Sequence, residues 1–281
     1  MTAGLSTKGV AEIGFARRGG ATRLAHLYQA DPLRVLFPIP AAGDPVQAAI
    51  VTTSGGLVAG DRIEIAVRVA GEACAHVTAS AADKIYRSGD GAATSAIRQL
   101  LTAGDGAALE FLLPETILFD GARLVRETLL ELASGASFLG GDIVIFGRRA
   151  RGERFTHGLL REVWEVRRAG SLVWGDALHL DGDVARVIDD PACFAGAAGF
   201  ATMILAPAGR NPQSFVDGAR AVQAGAPRGV RAGVTAIGGL AIARWLAADA
   251  ALLRQAYADL ACHWRAEALG LPRQLPRIWH V

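Results

Sequence analysis

Glycine punctuation restricts this chain more than any other feature of its sequence. Between Arg23 and Asp183, turn signals recur at Gly71, Gly89-Asp90-Gly91, Gly104-Asp105-Gly106, Gly121, Gly135, Gly140-Gly141, Gly147, Gly152, Gly158, Gly170, Gly175 and Gly182. Segments this short leave no room for ordinary helices, and the residues between the turns repeat with a period of two. Arg62–Val69 is the clearest case, with Ile63, Ile65, Val67 and Val69 on one face of a half-buried strand. The pattern predicts a mostly β body over residues 20–190. Residues 1–20 read as a loose lead-in with an edge strand near 11–16. No repeat of fixed length is visible, which argues against a regular stack of identical coils.

After Pro191 the composition changes, and residues 191–281 read as a mixed strand and helix region. Asn211 before Pro212 opens a short helix over 211–224, which Gly225 and Pro227 close. Strands are expected at 230–236 and 240–246. Asp249 then caps a helix running to about 268, with Leu253, Tyr257, Leu260 and Trp264 on one face and Gly270 as its stop. The tail over 272–281 is expected to pack extended against the body with Trp279 buried, since a large ring left in water gains nothing.

With 281 residues, 51% of them hydrophobic, the chain can form one large core or two ordinary domains. A net charge of only +2 and the lack of long like-charge runs disfavour nucleic acid or a membrane surface as partner. No stretch reaches the roughly 18 uncharged apolar residues of a membrane helix, and no signal-peptide core is seen, so a soluble cytoplasmic protein is expected. Cys74, Cys193 and Cys262 are odd in number and widely spaced, suggesting neither a disulfide framework nor a thiolate zinc site. The apolar composition and low charge predict an interaction patch on the surface.

Gly55-Gly56-Leu57-Val58-Ala59-Gly60-Asp61 reads as a shaped turn holding an acid. Lys84 is one of only two lysines, and its compact ammonium is expected to reach a buried carboxylate or carbonyl that a guanidinium would not fit. Asp142 and Asp176 interrupt apolar strands just after glycine, and Glu153 follows Gly152. Carboxylates carried inward must be paired, hydrated or metal-bound, whereas outward-pointing ones are ordinary surface acids. Their recurrence after glycine favours a shared polar interior. Oxygen ligands of this kind suit transient contact with divalent metals, and the absence of closely spaced His or Cys argues against a tight cage. His76, two residues from Cys74, reads as packing more readily than as a weak ligand pair. Neither a phosphate-binding loop nor a Gly-x-Ser-x-Gly elbow is present, so the sequence gives no support for an enzyme. Glu110, Glu115, Arg87, Arg148 and Arg149 are candidates for ion pairs or partner contacts.

Five blocks in order then carry a resemblance: Gly55 to Asp61, Lys84-Ile-Tyr86-Arg-Ser, Leu109 to Phe119, Gly147 to Glu153, and Pro276-Arg-Ile-Trp279. Over nearly its whole length the chain resembles the UreD (also UreH) family of urease accessory proteins. It departs at Phe111, Leu113 and Pro114, where the family usually reads Leu-Glu-Trp-Leu-Pro-Gln-Glu, and after Thr78, where a second Thr and a Pro or Gly are missing. The resemblance implies one domain over 1–281, an irregular helical stack of β-strands with a small C-terminal helical part. It further implies a non-enzymatic chaperone for nickel delivery that binds apo-urease, the accessory protein UreF and the GTPase UreG. No tightly bound cofactor is expected, only transient Ni²⁺ along a route lined by Asp61, Asp142, Asp176 and Glu153, with Gly55, Gly56, Gly60, Lys84 and Tyr86 shaping the site. The alternative is a β-helical polysaccharide hydrolase or lyase using Asp61, Asp142 and Asp176 as paired carboxylates, against which stands an aromatic content of 6%.

Overall fold

The computed structural model describes residues 6–89 and 93–280, so Asp90 and Gly91 of one expected turn lie outside the described residues. The chain opens with β1 (Lys8–Arg18), β2 (Ala21–Ala30), β3 (Leu33–Leu36), β4 (Val46–Thr52), β5 (Arg62–Val69) and β6 (Cys74–Ala79). Next come β7 (Asp83–Ile85), β8 (Ser95–Ala103), β9 (Ala108–Leu112), β10 (Thr116–Leu118), β11 (Arg123–Leu132) and β12 (Ser137–Phe146). The long strands β13 (His157–Arg168) and β14 (Ser171–Asp183) lead into helix α1 (Val184–Asp189) and β15 (Gly199–Ala206). Helix α2 (Val216–Ala224), β16 (Val230–Ile237), β17 (Leu240–Ala247) and helix α3 (Ala250–Leu269) complete the fold.

Two sheets are wound together. The first runs β14-β13-β11-β8-β5-β1-β2, and the second runs β16-β17-β15-β12-β9-β6-β4-β3, with β7 and β10 attached beside β12. From β4 to β13 the chain alternates between them, so β5, β8, β11 and β13 stack in parallel in one sheet while β4, β6, β9 and β12 stack in parallel in the other. This is the expected helical stack of strands. Its inward row Ile63, Ile97, Arg126 and Glu162 is spaced unevenly in sequence, which is why no fixed repeat is visible.

Inward alternation fills the space between the sheets with Ile63, Val67, Leu101, Leu124, Leu130, Phe138 and Phe146. The far face of the second sheet carries Leu139, Ile143, Met203 and Trp245 against Leu253, Tyr257, Leu260 and Trp264 of α3. The molecule is thus three layers deep: sheet, sheet and helix.

Several expectations need correction. Residues 8–18 are not a loose lead-in but β1, paired in parallel with β5, because Ala11, Ile13 and Phe15 alternate into the core; the edge strand is β2. Gly140, Gly141, Gly158, Gly175 and Gly182 lie inside strands rather than turns. A Cβ on Gly141 would overlap the carbonyl oxygen of Thr202, so the close approach of β15 explains that glycine. Helix α1 also interrupts the region read as purely β.

At the C-terminus the cap, the stop and the burial of Trp279 are as expected, but the tail is not extended throughout: Arg277–His280 close a 3-10 turn, with the Trp279 amide donating to Pro276 O at 2.9 Å. Asp249 Oδ1 accepts from the amides of Ala251 and Leu252 (2.8 and 3.1 Å), and Gly270 closes α3 at φ 66°. Trp279 stacks on Tyr257 with centroids 6.3 Å apart and donates to Leu112 O at 3.2 Å. Buried Arg265 fastens the helix and tail to the body. It donates to Glu110 (2.7 Å), Asp44 (2.8 Å) and the carbonyls of Pro272 and Gln274. Burial would raise the Glu110 carboxyl, but His76 and Arg265 outweigh it and hold its pKa below the ordinary value. Trp279→Ala should therefore cost about 3–5 kcal/mol in urea unfolding. An unchanged unfolding midpoint would refute a role for the tail in the core.

Candidate functional site

Between the sheets the apolar rows give way to polar ones near β11 and β13. The buried residues of β11 are Leu124, Arg126, Thr128, Leu130 and Leu132, and those of β13 include Leu160, Glu162, Trp164 and Val166. Register then builds a lane across the inner face of the first sheet, from Gln99 through Thr128 and Trp164 to Asp176 on β14. In the adjoining row Arg126 lies beside Glu162. Opposite them β12 contributes Asp142, whose even-numbered neighbours Phe138, Val144 and Phe146 also face the space between the sheets.

These side chains form one cluster. Arg126 donates through Nη2 to Glu162 Oε1 at 2.8 Å and through Nη1 to Thr116 Oγ1 at 2.8 Å. Its Nη1 lies 3.3 Å from Asp142 Oδ1, an ion pair without the alignment of a hydrogen bond. Trp164 Nε1 donates to Asp142 Oδ2 at 2.6 Å, and Thr128 donates to Gln99 at 2.8 Å. Asp142 is 1% exposed, Arg126 2% and Glu162 6%. Arg126 Nε, Asp142 Oδ1 and Glu162 Oε2 have no hydrogen-bond partner among the described residues.

The charges do not balance. One guanidinium faces Asp142 and Glu162 directly and also feels Asp83 on β7. Burial pushes Glu162 up to about 7, with Arg126 pulling it down and Asp142 pushing it further up. Asp83 is raised as well, by burial, against the opposing pull of Arg126 and a hydrogen bond from Thr52. Burial would lower the Arg126 pKa, but Asp142 and then Glu162 raise it, so the guanidinium stays charged. An interior with more carboxylates than cations holds a proton or attracts a cation.

The acids anticipated from sequence occupy different places. Asp142 lies in the cluster, and Asp176 stands at the end of the lane, opposite Trp164, where it pairs with Arg244 at 2.7 Å. Asp61 is buried outside the cluster, closing its own turn by accepting from Thr7 N (2.9 Å), Thr7 Oγ1 (3.0 Å) and Val58 N (2.9 Å). Glu153 is bound in two places by Arg148, at 2.7 and 3.1 Å. Lys84 departs from its reading, because its side chain is exposed and its carbonyl accepts the amide of Leu57. Tyr86 fills the space instead. A Cβ on Gly56 would meet its ring at 2.6 Å, and its hydroxyl donates to Gly55 O at 3.1 Å. Gly60 keeps positive φ (87°) just before Asp61. His76 pairs with Glu110 at 3.3 Å under α3.

Arg126, Glu162, Thr116, Trp164 and Asp83 escaped the sequence reading. The signal available for Arg126 and Glu162 was parity: each shares a strand face with leucines. Among the described residues no three His, Cys, Asp or Glu side chains are grouped to hold a metal ion.

Parallel coils wound around a buried, carboxylate-rich cluster define a β-solenoid protein with a charged interior. This chain belongs to the UreD family of urease accessory proteins: the family model, described as UreD urease accessory protein, matches residues 7–280. It is 41% identical over 279 residues to urease accessory protein UreD of Magnetococcus marinus, covering 98% of this chain and 94% of that protein. It is also 39% identical over 278 residues to urease accessory protein UreD 2 of Methylorubrum populi, covering 97% and 90%. With urease accessory protein UreD of Rhodopseudomonas palustris it shares 38% identity over 261 residues, covering 93% and 88%.

The raised pKa of Glu162 has a testable sign. From the ordinary value of 4.5 up to about 7 the folded chain holds a proton that the unfolded chain has lost. Stability must fall as pH rises through that window and level off above it, by on the order of 3 kcal/mol for this group. Urea unfolding of wild type and Glu162→Gln across the window should differ by that slope, and parallel curves would contradict the assignment.

Proposed function

We propose that this chain is a scaffold in urease maturation, binding apo-urease together with the accessory protein UreF and the GTPase UreG, and that Ni²⁺ passes as cargo along the polar lane. Family membership supports the accessory role. The observation that carries the metal reading is the excess of buried carboxylate over guanidinium around Arg126. A divalent cation arriving there takes the place of the proton on Glu162 and meets oxygen from Asp142. Oxygen ligands alone hold a first-row metal weakly, and the fixed guanidinium at 2.8 and 3.3 Å opposes long residence. Passage is favoured over storage.

In this reading Asp176 marks the surface end of the lane. Asp61 shapes the turn before β5, and Glu153 acts at the surface with Arg148. The setting is the cytoplasm, and the chain catalyses no reaction of its own. A polysaccharide hydrolase using Asp61, Asp142 and Asp176 would need an acid pair open to a polymer, whereas Asp61 and Asp142 are buried and Asp176 is paired with Arg244.

Asp142→Asn keeps the shape and the hydrogen bond from Trp164 but removes the charge. Purified with its partners and supplied with Ni²⁺ and GTP, this variant should assemble normally yet lower urease activation and nickel content about tenfold or more. Normal activation by an assembled Asp142→Asn complex would exclude the lane as the metal route. Failure to assemble would instead assign Asp142 to the fold.

A further inference from the structure

The two sheets have unequal widths. Where the first ends at β14, the second continues through β17 to β16. Contacts between them here include the Asp176–Arg244 pair and the close fit of the β16–β17 turn at Gly238 against the Val173 carbonyl. Beside β14 and above β16 lies a groove of about 460 Å³, walled by Leu178, Phe194, Phe200 and Leu246 and edged by Arg231. Strand β14, at 13 residues the longest here, borders it with an unpaired backbone edge.

Gly233 is the informative residue. It sits within β16 directly opposite Arg244, which is itself opposite Thr202, so all three share the face turned toward β14. Its φ is not positive, and a Cβ placed on it would meet nothing within 4 Å. Neither backbone conformation nor packing within this chain calls for glycine. A strand glycine under open space leaves room for a second backbone to come close.

Charge narrows the occupant. Arg244 is paired with Asp176, whereas Arg231 donates only to the carbonyl of Phe194, at 3.2 Å, and keeps an uncompensated positive charge among the described residues. We infer that the groove receives an extended segment of a partner protein, added as a strand along β14, with an acidic side chain directed to Arg231. Residues two positions to either side of that acid would face the apolar walls at Phe200 and Leu178, as the pleat requires. The inference concerns a docking surface and does not depend on the metal route.

The probe is the fluorescently labelled hexapeptide acetyl-Leu-Thr-Glu-Thr-Leu-Thr-amide, titrated against the full chain by anisotropy. Saturable binding is expected, weaker by about tenfold or more when the central Glu is Lys. Arg231→Glu should reverse that preference. Gly233→Leu should abolish binding with an unchanged thermal midpoint, because its side chain enters open space. A peptide with alternate amides N-methylated should not bind, since it cannot pair with an edge. Equal binding of the Glu and Lys peptides, retained binding by Gly233→Leu or by the N-methylated peptide, or no saturable binding would overturn the proposal. So would sedimentation showing a dimer that Gly233→Leu dissociates, since the groove would then belong to a second copy of this chain.

Discussion

One buried guanidinium organises the polar space between the two sheets. Arg126 is the cation that lets Asp142 and Glu162 sit between two sheets that are otherwise packed with leucine, isoleucine and phenylalanine. Withdrawing such charges from water costs several kcal/mol per ion, and well-packed apolar residues in their place are often at least as stabilising. Stability alone is therefore a poor reason for the cluster. A shortage of positive charge in a buried space is instead a chemical property: it favours retention of a proton there, and in the proposed function it is what a passing metal cation would meet.

Winding makes that cluster possible. Its members come from β11 and β13 in one sheet and β12 in the other, with Thr116 of β10 at the margin, and only successive parallel coils bring strands so distant in sequence into one layer. The same winding turns rows of side chains across strands into lanes along the stack. Helix α3 and the tail protect the far face of the second sheet, while Arg265 fastens them to Glu110 and Asp44. The layer that holds the charged cluster is thus separate from the layer that locks the C-terminus.

Local pattern made part of this legible in the sequence. The alternation over 62–69, the cap at Asp249, the stop at Gly270 and the burial of Trp279 follow from residue type and spacing. Asp142 also stood out, because glycines and apolar residues surround it. Arg126 and Glu162 did not, since both parities of β11 and β13 carry polar residues, and the parity they share with leucines becomes a clear signal only once the register of neighbouring coils fixes which face is inward. Uneven coil lengths hid that register. The rarity of Lys84 misled for a simpler reason: Tyr86 packs over Gly56, and the ammonium is left in solvent. The groove beside β14 depends on where one sheet stops and the other continues, a property of assembled sheets that no single segment encodes.

The claim that the interior serves as a metal lane is tested most directly by locating the metal. Crystals of the chain with its partners, soaked in Ni²⁺ and measured at the nickel absorption edge, should give an anomalous peak between the sheets beside the carboxylates of Asp142 and Glu162, weaker at pH values below the Glu162 transition. Nickel found only on the outer surface, with the space around Arg126 empty of anomalous signal at every pH, would contradict it.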